Sequence, residues 1–239
     1  MGIYFISFIV IVLSALIQGA TSFGFSLIAV PLLALILPLS DITPMLVLFS
    51  LLLNIILFSK IKGDVNKKQI TILIIFGLIA VPLGIHGLKS LDESYIKIAV
   101  GIIVIISAIS LNFGFKVHFK NQTLAYGLTG FFSGILNGAS SLSGPPVILM
   151  LSNEGVNKDN FRKTLSTYFM ILNLFSLPIF FKSGMLTKDV LINTGKLLPA
   201  MLLGTLIGIG LGNRLPEKQF KKITLVLIFV MGIMTLISA

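Results

Sequence analysis

Residues 134–146 read GILNGASSLSGPP and lie inside an otherwise apolar run. They are small, polar or helix-breaking residues, which lipid tolerates only where protein or water satisfies the backbone N–H and C=O groups. An earlier stretch, SALIQGATSF at residues 14–23, matches SGILNGASSL at residues 133–142 position by position, at an offset of 133 − 14 = 119. Paired polar breaks in corresponding halves of a hydrophobic chain indicate a transporter's substrate site.

The composition indicates an integral membrane protein. Of the 239 residues, 56% are hydrophobic and only 11% are charged, whereas soluble domains carry about 25% charged residues. The chain has no cysteine, which excludes disulfides and thiolate metal sites. A net charge of +10 does not predict a nucleic-acid partner here, because the basic residues fall in short loops between apolar runs. The N-terminal segment has no basic region or clear cleavage site, so we interpret it as retained.

The apolar pattern predicts an all-α polytopic fold without any soluble domain. We expect ten helical segments, at approximately 3–17, 24–38, 42–59, 70–87, 95–112, 122–137, 145–152, 164–181, 187–212 and 221–238. Segments 3–17 and 145–152 would span only about 22 Å and 12 Å at 1.5 Å per residue, against a hydrocarbon core of roughly 30 Å. These lengths favour re-entrant hairpins over full crossings.

Basic loops predict the topology, because cytoplasmic loops are enriched in Lys and Arg. Most basic residues fall in four loops: Lys60, Lys62, Lys67, Lys68, Lys116, Lys120, Lys158, Arg162, Lys163, Arg214, Lys218, Lys221 and Lys222. We therefore expect loops 60–68, 113–121 and 213–222 to be cytoplasmic and both termini to lie outside. Each half then has an odd number of segments. The single membrane domain would consist of two inverted repeats, about 1–118 and 119–239, each with a broken re-entrant helical hairpin and three transmembrane helices.

The two motifs resemble the signature of the sulfite exporter TauE/SafE family. The first runs from Gly19 through Phe25 to Pro31-Leu32-Leu33, and the second from Ser133-Gly134 to Gly144-Pro145-Pro146. The resemblance covers essentially the whole chain, although this sequence carries Thr and Ser at positions where family members often have glycine. It implies export of a small sulfur oxyanion such as sulfite or an organosulfonate.

The residues themselves predict an oxyanion site at the two breaks, because free backbone N–H groups at helix ends, hydroxyls and amides all donate hydrogen bonds. The candidate substrate-binding residues are Gln18, Gly19, Thr21, Ser22, Asn54, Asn137, Gly138, Ser140, Ser141, Ser143, Gly144, Asn173 and Lys196. Each has an alternative interpretation. The glycines and serines could pack helices closely, the asparagines could join helices, and Lys196 could extend to the headgroups.

These observations predict a secondary transporter of a small anion in the plasma membrane, working by alternating access. A passive anion channel and, less favoured, an intramembrane enzyme are the alternatives; no metalloprotease or nucleophile motif is present. We expect no cofactor, no metal and no nucleic-acid partner. The expected partners are the small anionic substrate and the lipid bilayer, and the sequence leaves a homo-oligomer open.

Overall fold

The protein is described here by a computed structural model covering residues 2–112 and 121–220, with 222, 223 and 226. Within these residues all regular structure is helical, as predicted. The helices are α1 (Gly2–Thr21), α2 (Phe25–Leu33), α3 (Leu39–Lys60), α4 (Lys67–Ser90), α5 (Glu93–Asn112), α6 (Gln122–Ser140), α7 (Gly144–Asn153), α8 (Lys158–Lys182) and α9 (Lys188–Arg214). They correspond to nine of the ten predicted segments. Most of the tenth, 221–238, and loop residues 113–120 lie outside the described residues.

Five of the described helices are long and apolar enough to cross a membrane: α1, α3, α4, α8 and α9. The predicted length of the first segment was therefore wrong. Helix α1 has 20 residues, about 30 Å at the standard rise, and can span the hydrocarbon core. The helix continues through Gln18-Gly19-Ala20-Thr21, where Gly19 packs against the backbone of α9. Helices α2 and α7, with 9 and 10 residues, remain too short to cross.

The two polar breaks are also narrower than expected. Helix α6 extends to Ser140, and α7 begins at Gly144 with proline in its first turn, where a missing N–H costs no helical hydrogen bond. Only residues 141–143 interrupt the helices there, and only residues 22–24 interrupt them in the first half.

Helix packing is reciprocal between the halves. Helix α1 packs along α9, α6 packs along α4, and α3 packs against α8 at the centre. Glycines make both close pairings possible. A Cβ on Gly208 of α9 would meet the Leu16 carbonyl of α1, and a Cβ on Gly84 of α4 would meet the Ile135 carbonyl of α6. Leu16 and Ile135 are themselves 119 positions apart.

The basic loops converge at one end of the molecule. The Asp64 backbone N–H donates to Asn160 Oδ1 at 2.8 Å, and Lys158 Nζ donates to the Leu215 carbonyl at 2.8 Å. At the opposite end, Lys89 Nζ donates to the Ser183 carbonyl at 3.0 Å. The described loops that we expected to be cytoplasmic therefore share one end, while Lys116, Lys120 and Lys221 lie outside the described residues.

Candidate functional site

The turn after each long hairpin helix has the same backbone geometry. Ser22 and Ser141 are the non-glycine residues with positive φ among the described residues, at 67° and 60°, and they are 119 positions apart. Ser22 N donates to the Gln18 carbonyl and Ser141 N to the Asn137 carbonyl, at 2.6 and 2.9 Å. A non-glycine residue in this left-handed region is a local strain that the surrounding structure must enforce. Both helices thus end on a serine held in an uncommon conformation.

The two hairpins meet through a pair of serine hydroxyls. Ser26 Oγ on α2 lies 3.0 Å from Ser141 Oγ in the turn between α6 and α7, and both residues are buried. The sequence predicted contact between the hairpin tips, and this hydrogen bond joins the short helix of one hairpin to the turn of the other.

The amide of the first hairpin is hydrogen-bonded to α2 and α3. Gln18 Oε1 accepts from the Phe25 backbone N–H at 3.1 Å, so this side chain occupies the first turn of α2. Gln18 Nε2 donates to Asn54 Oδ1 at 3.2 Å, and Asn54 Nδ2 donates to both the carbonyl and the hydroxyl of Ser50, at 2.7 and 3.1 Å. Gln18 and Asn54 are 3% and 0% exposed.

The second half repeats this pairing. Asn137 Nδ2 donates to Asn173 Oδ1 at 2.8 Å, and Asn137 Oδ1 accepts from the Ser176 hydroxyl at 2.9 Å. Asn173 Nδ2 then donates to Ser50 Oγ at 2.9 Å. The four amides that the sequence singled out therefore lie in one buried polar chain, with the hydroxyl of Ser50 joining the two halves. We call these six side chains, Gln18, Ser50, Asn54, Asn137, Asn173 and Ser176, the central amide network.

Ser50 was not predicted from the sequence. Its hydroxyl accepts from Asn54 and from Asn173, so both lone pairs are used, while its own proton has no acceptor among the hydrogen bonds of the described residues. The repeat gives no signal for it, because the position 119 residues later is Phe169. The spacing of four residues to Asn54, one helical turn, is the only sequence feature that places it on the same helix face.

A cavity of about 390 Å³ lies between α1 and the end of α9, and two others open at opposite ends of the molecule. The larger, about 770 Å³, lies between α1, α3 and α9 at the end that holds the N-terminus, and its lining includes Ser7, Met45 and Leu197. The smaller, about 150 Å³, lies between α4, α6 and α8, and its lining includes Tyr126, Thr164 and Leu73. Met45 and Thr164, like Ser7 and Tyr126, are 119 positions apart. We call these the N-terminal-side cavity and the basic-side cavity.

A model of the protein family described as sulfite exporter TauE/SafE matches residues 7–235. The match covers nearly the whole chain, both hairpins and the central amide network included. The chain belongs to the sulfite exporter TauE/SafE family. Comparison with curated proteins and with solved structures found no match. Membership in the TauE/SafE family implies a membrane transporter of sulfur anions, in agreement with the multi-pass apolar helices.

Several predicted site residues of this TauE/SafE chain serve its helix packing and turns. Gly19 and Gly138 lie against the backbones of α9 and α4, where an added Cβ would meet Thr205 O at 2.6 Å and Ile85 N at 2.7 Å. The Thr21 hydroxyl lies within hydrogen-bonding distance of the Ile17 and Phe23 carbonyls. The remaining hairpin residues, Ser140, Ser143 and Gly144, are at the end of α6, in the turn, and at the start of α7. Ser140 Oγ donates to the Leu136 carbonyl, and the Ser143 carbonyl accepts from Ser133 Oγ.

Lys196 lies apart from the central amide network. Its side chain is exposed on α9, and Nζ lies 5.1 Å from the centroid of the Tyr4 ring, over its face. This position agrees with the alternative that Lys196 extends along the outer surface toward the headgroups.

Arg162 is placed differently from the expectation. We predicted it in a basic loop, but α8 begins at Lys158, with the Asn157 side chain accepting from Asn160 N at the N-cap. Arg162 is therefore inside the helix and only 1% exposed. Its Nη1 donates to Asn213 Oδ1 at 3.0 Å and its Nη2 to the Gly19 carbonyl at 3.1 Å. This buried charge at the tip of the first hairpin was missed because hydropathy alone does not show which side chains in the first turns of a helix are buried by neighbouring helices.

Some buried polar atoms have no hydrogen-bond partner within the described part of the chain. They are Ser14 Oγ, Ser22 Oγ, Thr43 Oγ1 and Arg162 Nε. Among the described residues, no cluster of three or more His, Asp or Glu side chains is placed to hold a metal ion. The polar chemistry of the described interior is therefore that of amides, hydroxyls and one guanidinium, all of which can donate to an anion.

Proposed function

We propose that this protein is a secondary transporter of a small sulfur oxyanion, sulfite or an organosulfonate, that works by alternating access. The observation that carries the proposal is the central amide network. Its side chains come from both hairpins and from the two central helices, and it is buried within a chain whose family transports sulfur anions. Buried amides and hydroxyls bind an anion without requiring a full counter-charge at each contact.

Two inverted repeats provide the scaffold in this proposal. The support is the set of matched features at an offset of 119 residues. These are the left-handed serines Ser22 and Ser141, and the amide pairs Gln18–Asn54 and Asn137–Asn173. The reciprocal pairing of α1 with α9 and of α6 with α4 adds to it. Related hairpins at a shared centre are a common architecture for transporters in which one repeat moves against the other.

Substrate binding requires a change of partners in the central amide network. Gln18 Nε2 and Asn137 Nδ2 donate to the neighbouring asparagines. An arriving anion would take over one or both of these N–H groups, with the Ser50 proton as a third donor. Hydrogen bonds to a charged acceptor are worth about 1.5–3 kcal/mol, more than those between neutral amides, so the exchange favours the bound state.

The volumes of the N-terminal-side and basic-side cavities, about 770 and 150 Å³, support alternating access with the N-terminal-side cavity open. Tyr126 Oη donates to Glu154 Oε2 at 2.6 Å, and Gln69 Nε2 donates to the same oxygen at 3.3 Å. These bonds tie α4, α6 and the end of α7 together beside the basic-side cavity, which is the smaller one. We propose that they close the cytoplasmic entrance and break when the transporter turns inward.

Cysteine labelling at the repeat-matched positions Met45 and Thr164 tests orientation and closure together. The chain has no native cysteine. We expect an impermeant thiol reagent added outside intact cells to label Met45→Cys and to leave Thr164→Cys unlabelled. Adding Tyr126→Phe, which removes the hydrogen bond to Glu154, should increase labelling of Thr164→Cys several-fold from the cytoplasmic side of inverted vesicles.

Tyr95→Phe is the matched control, because Tyr95 is 69% exposed on α5 and its substitution should leave labelling of Thr164→Cys unchanged. Labelling of Thr164→Cys, but not Met45→Cys, from outside intact cells would reverse the proposed orientation. Equal labelling of Thr164→Cys with and without Tyr126→Phe would show that the tyrosine does not close the entrance.

The proposed function is tested with purified protein in liposomes, screened over sulfite, sulfate, thiosulfate, organosulfonates and carboxylates. A carrier should show uptake that saturates with substrate and exchange that accelerates when unlabelled substrate is present on the opposite side. A passive channel, the alternative, would give non-saturating flux without accelerated exchange. No uptake of any sulfur oxyanion would contradict the proposal.

A further inference from the structure

Arg162 is the one charged side chain that is more than nine-tenths buried among the described residues, at 1% exposure. Removing a lone charge from water is costly unless an opposite charge or several hydrogen bonds compensate for it. The two Nη contacts of its guanidinium are to neutral oxygens, Asn213 Oδ1 and the Gly19 carbonyl. Asp159 attracts the guanidinium from one turn earlier in α8, but its own side chain is exposed.

The guanidinium retains unused donor capacity. A guanidinium carries five N–H groups in a fixed fork, and Arg162 Nε has no partner in the described part of the chain. Leaving a buried donor unpaired costs more than a typical hydrogen bond contributes, and the cost is larger still for a charged group. The contacts to Asn213 and Gly19 join α8 to α9 and α1, but that structural role leaves Nε unexplained.

A second unpaired donor lies at the same hairpin tip. Ser22 follows Gly19 by three residues, is 0% exposed and holds a positive φ of 67°. Its Oγ also has no partner within the described residues. A residue with a strained backbone and a buried hydroxyl that makes no hydrogen bond is typical of a ligand-binding position. The tip of the first hairpin thus combines a positive charge, an unused guanidinium N–H and an unused hydroxyl.

We propose that Arg162 is the cationic residue that binds the transported anion at the tip of the α1–α2 hairpin, next to Gln18 of the central amide network, with the Ser22 hydroxyl as a second donor. The proposal rests on the proposed function and assigns to the Arg162 guanidinium the selection of anions as its substrate class. Sulfite and sulfonates present several oxygens that share a negative charge, which match the forked donors of a guanidinium better than a single-point ammonium.

Three variants separate binding from the structural role of Arg162. Arg162→Gln should weaken sulfite binding to the purified protein by about ten- to hundred-fold, the effect of losing a charged hydrogen bond. Arg162→Lys should bind with an intermediate affinity because it keeps the charge and loses the fork. Asn213→Ala removes one partner of the guanidinium and should lower the melting temperature while changing sulfite affinity less than about threefold. Unchanged affinity in Arg162→Gln would overturn the proposal, as would an equal loss in Asn213→Ala.

Arginine modification tests the proposal even if Arg162→Gln does not fold. The chain has two arginines, so Arg214→Lys, at an exposed position, leaves Arg162 as the only target of phenylglyoxal. We expect methanesulfonate, a sulfonate that unlike sulfite does not add to the carbonyls of the reagent, to slow its modification at least several-fold and chloride at equal ionic strength to have little effect. The double variant with both arginines replaced by lysine is the blank.

The outcomes distinguish this inference from the proposed function. If carboxylates protect Arg162 and sulfur oxyanions do not, the substrate class is wrong and the arginine site stands. If the parent protein transports sulfite and no anion protects Arg162, the arginine site is wrong and the proposed function stands. If there is neither transport nor protection, both are wrong.

Discussion

Asn137→Leu is expected to weaken binding of the transported anion by about ten- to hundred-fold, corresponding to the roughly 1.5–3 kcal/mol of a hydrogen bond to a charged ligand. Asn137 lies in the last turn of α6 and is 1% exposed. Its Nδ2 donates to Asn173 and its Oδ1 accepts from Ser176, so the amide is held in place. Its N–H group can then donate to a bound substrate instead of to Asn173. Leucine has a similar volume and no donor. The measurement is equilibrium binding of sulfite to the purified variant.

Gln18→Leu should show a comparable loss, because Gln18 occupies the matching position in the first hairpin and donates to Asn54. Gln122→Leu, at an exposed amide at the start of α6, is the matched control and should bind as the parent does. If Asn137→Leu and Gln18→Leu both bind every tested anion as tightly as the parent, the hairpins serve only to pack helices, and the proposed site is wrong.

The existence and type of the described helices could be predicted because hydropathy and length are local properties of the sequence. The repeated sequence motif carried more information. Polar residues that recur 119 positions apart predicted which side chains occupy equivalent places in the two halves. In the structure, Gln18 bonds to Asn54 in the same way as Asn137 bonds to Asn173. The pairing of α1 with α9, in contrast, depends on glycines in distant segments that fit each other only after folding.

The parts of the candidate site that were missed depend on tertiary contacts. Arg162 is the fifth residue of α8 and is 1% exposed, whereas Lys196 is the ninth residue of α9 and is exposed. Hydropathy does not show which of these two side chains is buried. The two side chains differ in the neighbour that each contacts: the tip of the first hairpin for Arg162, and the partly exposed ring of Tyr4 for Lys196. Ser50 was missed for a related reason, since its role comes from accepting bonds from two different helices.

The sequence left open whether Asn54 and Asn173 join helices or bind substrate. Both side chains bond to other helices or to Ser50 through both of their polar atoms. Asn173 bonds α8 to both α6 and α3 and so has an interhelical role. Average contributions of such bonds in membranes are near 0.6 kcal/mol. Because this network is continuous, removing one member leaves others unpaired, and the effects should not add independently.

Ser50→Ala should destabilise the protein by about 1–3 kcal/mol, through a buried amide left without an acceptor. Asn54 Nδ2 would keep its bond to the Ser50 carbonyl, whereas Asn173 Nδ2 would lose the acceptor it has in the structure. In the Asn173→Leu background that N–H no longer exists, so adding Ser50→Ala should cost less by about 1 kcal/mol or more, an interaction energy typical of contacting residues. Reversible unfolding in detergent gives the free energy of unfolding of the parent, the two single variants and the double variant.

Thr71→Ala provides the control cycle. Thr71 is exposed on α4, and its hydroxyl donates to the Lys67 carbonyl within its own helix. Its effect should add to that of Ser50→Ala within about 0.5 kcal/mol, as expected for independent sites. If the effects of Ser50→Ala and Asn173→Leu on the free energy of unfolding also add within this limit, the Ser50 hydroxyl does not link the two halves. The two amide pairs would then be separate structural contacts, and the substrate would not reach both hairpins through one network.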